Sequence, residues 1–221
     1  MISTKAIVIL LALFAFGAAA KETKRADLNT AARAGYLSTL EKEVIYEINL
    51  FRSDPANYSQ KYIAPLAKYY DGKILHYPGD TPIRTEEGVS ALRECVRELK
   101  TKSKEPVLNP DKRLAQSARD HQLDQQKSGR RGHTGTDRSN LRQRIERYGQ
   151  WQKRIGENIA YGNTSARQIV IFLLIDDGVS NRGHRATLLN PDFKVVGVAC
   201  GKHPVYETMC VIDFAGGMIQ K

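Results

Sequence analysis

Two histidines and three carboxylates, set in short motifs mostly bracketed by glycine, are the residues of this chain best suited to chemistry. Gly132-His133-Thr134-Gly135 carries one histidine and Gly156-Glu157-Asn158-Ile159 a carboxylate. Asp176-Asp177 ends a long apolar run, and Gly183-His184-Arg185 carries the second histidine. Side chains spread over about fifty residues meet only in a folded pocket. Neutral imidazoles bind Zn²⁺ and leave a position open for water, and a nearby carboxylate serves as a base or orients a ligand. His133 and His184 are therefore the candidate zinc ligands, and Glu157 the catalytic base if the chain is an enzyme. The competing reading is a hydrogen-bonded polar cluster that only shapes a cavity. The chain has no His-Glu-x-x-His motif and no Cys-x-x-Cys pair. Ser139 and Ser180 lack the strained turn that exposes a nucleophilic serine.

The elements that must position these groups read mostly as helices. Leu40, Val44, Ile48 and Phe51 share one face of a helix starting at Ser38. Asp54-Pro55 opens a second helix running to about Tyr70, and the Gly- and Pro-rich stretch from Asp71 to Ile83 reads as loop. A third helix is expected from Glu86 to about Lys100. A fourth opens at Asn109-Pro110-Asp111, closes at Ser128-Gly129, and carries His121 on its inner face as a core histidine. A fifth, short helix follows Ser139. Thr164 or Ser165 caps a sixth, whose core Ile169–Ile175 is apolar on every side. Asp176 and Asp177 would then face the negative end of that helix, at a cost of ~0.3–1 kcal/mol each, so a cation or imidazole should compensate. Phe193–Cys200 and Tyr206–Phe214 read as strands, with Cys200 and Cys210 paired across the hairpin; Cys95 reads as a buried apolar residue.

The first twenty residues resemble a secretory leader: Lys5, an apolar run from Ala6, and Ala18-Ala19-Ala20 at its end. Residues 21–37 read as a loosely held extension and 38–221 as one domain. Without Lys5 the formal charge falls from +10 to +9, suited to anionic surfaces. No later run is long enough to span a membrane. Between Lys127 and Arg154 nine basic residues face only Asp137 and Glu146. Arg130, Arg131, Arg142, Lys153, Arg154 and Arg185 are the candidate anion-attracting rim. Nucleic acid is disfavoured, since only Tyr148 and Trp151 interleave with these cations. Asn57-Tyr58-Ser59 and Asn163-Thr164-Ser165 match the glycan acceptor pattern.

Taken in order, Gly132-His133-Thr134-Gly135, Gly156-Glu157-Asn158-Ile159-Ala160-Tyr161-Gly162, Gly183-His184-Arg185 and the hairpin ending Cys210-Val-Ile-Asp-Phe-Ala-Gly-Gly217 resemble the cysteine-rich secretory protein, antigen 5 and pathogenesis-related (CAP or SCP) superfamily. The likeness runs from about Glu41 to Gly217 and is nearer to the bacterial or protist type. It implies an α-β-α sandwich, an α+β fold with a small antiparallel sheet between helical layers. It also implies a cavity lined by His133, Glu157, His184 and either Asp176 or Asp177, with Asp176 preferred. This chain departs from the animal and plant pattern: Arg185 replaces an aromatic residue, the second acid is Asp, and most disulfides are missing. The resemblance implies a secreted protein (periplasmic in a bacterium) that binds a sterol or other lipid, an ion or an extracellular partner. Two alternatives stand beside it, a zinc-dependent hydrolase and an interaction scaffold with a vestigial cavity. His133→Ala separates the first two, since it should abolish turnover in an enzyme and spare apolar-ligand binding in a module.

Overall fold

The computed structural model describes residues 24–220; the expected leader lies outside the described residues. The chain runs α1 (Thr39–Ser53), α2 (Pro55–Tyr58), β1 (Tyr70–Asp71), β2 (Ile74–Leu75), β3 (Ile83–Arg84), α3 (Val89–Leu99), β4 (Asn109–Pro110), α4 (Lys112–Ser128), α5 (Leu141–Glu146), β5 (Gln150–Tyr161), α6 (Ala166–Ile175), α7 (Gly183–Leu188), β6 (Val195–His203) and β7 (Glu207–Ile219).

Local chemistry accounts for the helix ends. Ser38 and Glu41 form a reciprocal capping box at α1. Asp111 accepts from the amides of Arg113 and Leu114 at α4, and Gly129, at φ 69°, closes that helix in the left-handed conformation. Ser165 caps α6. The helix expected from Asp54 to Tyr70 is interrupted: α2 passes into a π turn at Ser59–Ile63 and a 3₁₀ turn at Ala64–Tyr69. Pro65 lacks the amide that an α-helix needs there. The stretch expected as loop from Asp71 to Ile83 contains β2 and, with Tyr70 and Arg84, completes a small antiparallel sheet, β1-β2-β3. Two-residue strands leave too short an alternation to read in sequence.

The main sheet has the order β4-β6-β7-β5, antiparallel except for the short β4–β6 pair. Alternation along the strands gives it two buried faces. Val196 and Val198 with Cys210, Ile212 and Phe214 pack into one core with α1, α3 and α6. Ala199 with Met209 and Val211 packs on Ala118 of α4, and Val195 and Ala215 on Leu114 and Ile145. The result is the expected sandwich, helices on both sides of a small sheet. Gly197 sets the spacing of one layer: a Cβ there would lie 2.1 Å from the backbone of Leu114 and Ala115. The Cys200–Cys210 disulfide is present, and Cys95 is buried and free.

Residues 24–37 are tied down rather than loosely held. Leu28 and Ala31 are buried, and the carbonyl of Leu28 accepts from Asn49 Nδ2 at 3.1 Å. Their apolar side chains are too few to show a periodicity, but enough to anchor the segment on α1.

Candidate functional site

β5 is an edge strand, hydrogen-bonded to β7 alone. The sequence reading missed it because its first half, Gln150 to Arg154, is polar apart from Trp151 and carries a register shift between Gln152 and Ile155. Its alternation decides where the singled-out side chains go. Ile155, Glu157 and Ile159 point to the α4 side, whereas Gly156, Asn158 and Ala160 point to the α6 and α7 side.

The first histidine–acid pair is on the α4 side. His133 Nδ1 lies 2.8 Å from Glu157 Oε1. The His133 side chain is 57 % exposed while that of Glu157 is only 2 % exposed. Arg144, buried, donates from Nη2 to Glu157 Oε2 at 2.6 Å and from Nη1 to the carbonyls of His133 and Ser139. One guanidinium thus fixes both the carboxylate and the loop that carries the histidine. Burial pushes the Glu157 carboxyl up, but the hydrogen bond from His133 and the Arg144 charge outweigh it and hold it below the ordinary carboxylate value.

Opposite Glu157 in register is Asp213 of β7, fully buried. Its Oδ2 accepts from Ser117 Oγ at 2.7 Å, and its Oδ1 has no donor. Burial, then the adjoining Glu157 charge, push the Asp213 carboxyl well above the ordinary value. Two carboxyls side by side with one buried arginine resist ionising together, which is the second cause of the rise at Asp213. His121, buried on α4, lies with Nε2 2.8 Å from the Gly132 carbonyl, so it supports the turn before His133. Burial lowers its pKa.

The second pair is on the other side of β5. Asp176 ends α6 in the left-handed conformation, φ 55°. Its Oδ1 lies 2.6 Å from His184 Nδ1, and its Oδ2 accepts from the His184 amide at 2.9 Å. The carboxylate that would have faced the wrong end of α6 instead caps the first turn of α7, whose own cap residue, Arg182, makes no side-chain cap. Asp177 points elsewhere and accepts from the amides of Glu86 and Glu87 at 2.6 and 2.9 Å.

A cavity of about 260 Å³ wraps the free edge of β5. Leu75, Ile83, Ile159, Phe172, Leu173 and Val179 supply apolar wall, and Asp176, Asp177 and His184 the polar part. His133 and Glu157 are not in that wall. The four positions expected to line one cavity therefore form two pairs on opposite faces of an edge strand, and only the α7 pair borders the hollow.

Each histidine spends Nδ1 on a carboxylate, which leaves Nε2. A catalytic zinc takes three protein ligands and a water. Among the described residues no three His, Cys, Asp or Glu side chains are grouped as a metal-holding set. The two histidines thus offer one free ring nitrogen each, short of the three protein ligands of such a centre.

The expected rim also divides. Arg185 is not at the surface: its side chain is 1 % exposed, bound to Glu94 and Glu98 and to the carbonyls of Leu174 and Ile175. The carbonyls that end α6 need a buried donor, and a guanidinium is long enough to supply it. Lys153 and Arg154 both pair with Asp192. Arg142 pairs with Glu146 and lies over Trp151. Arg130 and Arg131 are exposed. Sequence reasoning missed Arg144 and Asp213. A carboxylate inside the apolar run Cys210–Ala215 was the available signal for Asp213, whereas Arg144 looks like any other cation of its basic segment.

The sequence model for the cysteine-rich secretory protein family matches residues 46–214. No curated protein matches the chain. Among solved structures, an extracellular protein containing an SCP domain from Bacillus anthracis is similar at 28% identity and TM-score 0.41, over 53% of this chain and 35% of that one. An outer surface protein from Borrelia burgdorferi is similar at 22% identity and TM-score 0.42, over 52% of this chain and 78% of that one. The chain thus spans about a third of the length of the Bacillus protein.

Proposed function

Because the chain belongs to the cysteine-rich secretory protein family, we propose that it acts outside the cell as a binding module whose ligand is a slender, single-chain amphiphile. The observation that carries this reading is the cavity at the β5 edge, apolar along most of its wall and bordered by the Asp176–His184 pair. Its volume of about 260 Å³ falls just under the usual range of ~300–1,000 Å³ for small-molecule pockets. That favours part of an acyl chain over a fused-ring sterol. Asp176 engages His184 at Nδ1, so Nε2 is the ring atom left for a polar head. In the neutral ring it accepts from a hydroxyl; in the protonated ring it donates to a carboxylate. Export is supported by the Cys200–Cys210 disulfide, a bond that persists in oxidising compartments.

Titration with a fluorescent medium-chain fatty acid tests the reading. Saturable binding is expected at one site. Val179→Trp, which fills the hollow, should abolish it. His184→Ala should weaken it about tenfold, the value of one lost hydrogen bond, and His133→Ala should leave it unchanged. Equal affinity in wild type and Val179→Trp would sink the proposal.

A further inference from the structure

Away from the cavity wall, the tip of the β6–β7 hairpin presents an apolar side chain that the fold does not use. Val205 is 66 % exposed, the highest value among the large hydrophobic residues described. It is held out on a rigid support. His203, buried, accepts at Nδ1 from the amides of Val205 and Tyr206 at 3.2 and 3.3 Å, and its Nε2 donates to the Arg130 carbonyl at 3.0 Å. The rings of Tyr161, His203 and Tyr206 lie 5.1–5.4 Å apart beneath the turn. The Cys200–Cys210 bridge closes the strands behind it. Gly129, the last residue of the α4 turn, sits so close that a Cβ there would meet Pro204 Cγ at 3.3 Å and Val205 Cγ2 at 3.9 Å.

This junction is rich in cations. Lys127, Arg130, Arg131 and Lys202 are all exposed, and none of the four forms an ion pair among the described residues. Arg131 Nη1 reaches Tyr206 Oη at 3.2 Å, which keeps it beside the tip. The carboxylate at the turn is Glu207, also exposed.

We propose that the hairpin tip and the end of α4 form a docking surface for an anionic lipid bilayer, with Val205 and Pro204 entering the headgroup layer and Lys127, Arg130, Arg131 and Lys202 contacting lipid phosphates and carboxylates. An exposed aliphatic tip beside four unpaired cations and a single carboxylate, Glu207, matches a bilayer surface, which offers apolar depth beneath negative charge. An acidic glycan offers the charge but no use for Val205. Tyr161 belongs to the cavity wall and meets Tyr206 with the rings tilted, so a docked tip brings the cavity to the membrane that holds amphiphiles. Vesicle binding by this surface needs no ligand in the cavity, so it stands or falls independently of fatty-acid binding.

The experiment is co-sedimentation of the chain with vesicles of phosphatidylcholine alone and of phosphatidylcholine mixed with the anionic lipid phosphatidylserine. Binding is expected only to the anionic vesicles and should fall steeply with salt. Each cation near an anionic leaflet is worth about fivefold in affinity, so Arg130→Glu/Arg131→Glu should lose at least about 25-fold. Val205→Asp should weaken binding at unchanged melting temperature, since the side chain contributes nothing to the core. Three results overturn the proposal. One is no binding to anionic vesicles. Another is binding that survives both variants. The third is tighter capture by soluble heparin fragments with Val205→Asp indifferent, which would make the partner a glycan.

Discussion

Asp213 and Glu157 face each other across β7 and β5, and their environments drive them apart: Asp213 is raised by burial and its neighbour's charge, and Glu157 is lowered by His133 and Arg144. The two therefore act on stability with opposite sign. Glu157, depressed in the fold, contributes stability above its ordinary value of 4.5, and this is lost as pH falls through the folded value. Asp213, raised in the fold, binds a proton that the unfolded chain releases. Its contribution is complete below 3.8 and is lost as pH rises toward the folded value. Asn is the uncharged isostere of the protonated acid and can donate to Glu157 while accepting from Ser117. Asp213→Asn should thus stabilise the fold at pH 7.5, and the gain should shrink towards zero as pH approaches 3.8. Urea midpoints at pH 4, 5.5 and 7.5 measure it; a difference independent of pH would mean that Asp213 is ionised in the fold. None of this pairing was legible beforehand, because it depends on the parity of β5, a strand whose polar first half hid it. His133, Glu157 and His184 stood out by residue type alone. Their division between two faces did not.

The joint between α6 and α7 explains why the second motif has the residues it has. Asp176 leaves α6 in the left-handed conformation and caps α7, which brings His184 onto it. Arg185 runs the other way and donates to the last carbonyls of α6 while reaching Glu94 and Glu98 on α3. Arg182 binds Glu87 and the Asp176 carbonyl, and Asp177 holds the amides just before α3. Three helices are thus locked by side chains that lie beside the cavity histidine. Arg185→Met should cost about 2–3 kcal/mol, below the value for a fully buried pair, because Glu94 and Glu98 are each 34 % exposed and can return to water. The expected readout is a fall in melting temperature of roughly 5–10 °C for a chain of this size. Arg185→Lys should recover only a minor part, since a point charge cannot serve two carboxylates and two carbonyls at once. A loss below about 0.5 kcal/mol would assign the network no more than the value of a surface pair. Helix caps were the legible feature here: Asp111 and Ser165 start their helices as expected. Unseen were α7, whose six residues carry no apolar stripe, and the destinations of the two aspartates, which lie about ninety residues away in one case.

At the scale of the whole molecule the sandwich was legible because its inner strands alternate between two apolar faces and its long helices carry caps, whereas its edges, β4, β5 and the small β1–β3 sheet, were not. Edge strands meet water along one side and need no such pattern. That asymmetry bears on how the parts depend on each other. The disulfide sits in the hairpin of β6 and β7, at the centre of the sheet, whereas the cavity wall comes from β2, β3, β5 and the α6–α7 joint. The bridge closes a loop of ten residues, for which chain entropy gives about 2–3 kcal/mol. Cys200→Ala/Cys210→Ala should lower the unfolding free energy by that amount, read from the denaturant midpoint and slope together. Cys95 offers no substitute partner, being buried, with its thiol pushed up to about 12 by burial. Below its lower melting temperature the double variant should bind the fluorescent fatty acid as the wild type does, while its vesicle binding weakens as the hairpin tip loses its brace. Parallel loss of both activities in a variant that remains folded would show instead that the cavity and the hairpin tip move as one unit, and that the bridge holds the whole sheet rather than its end.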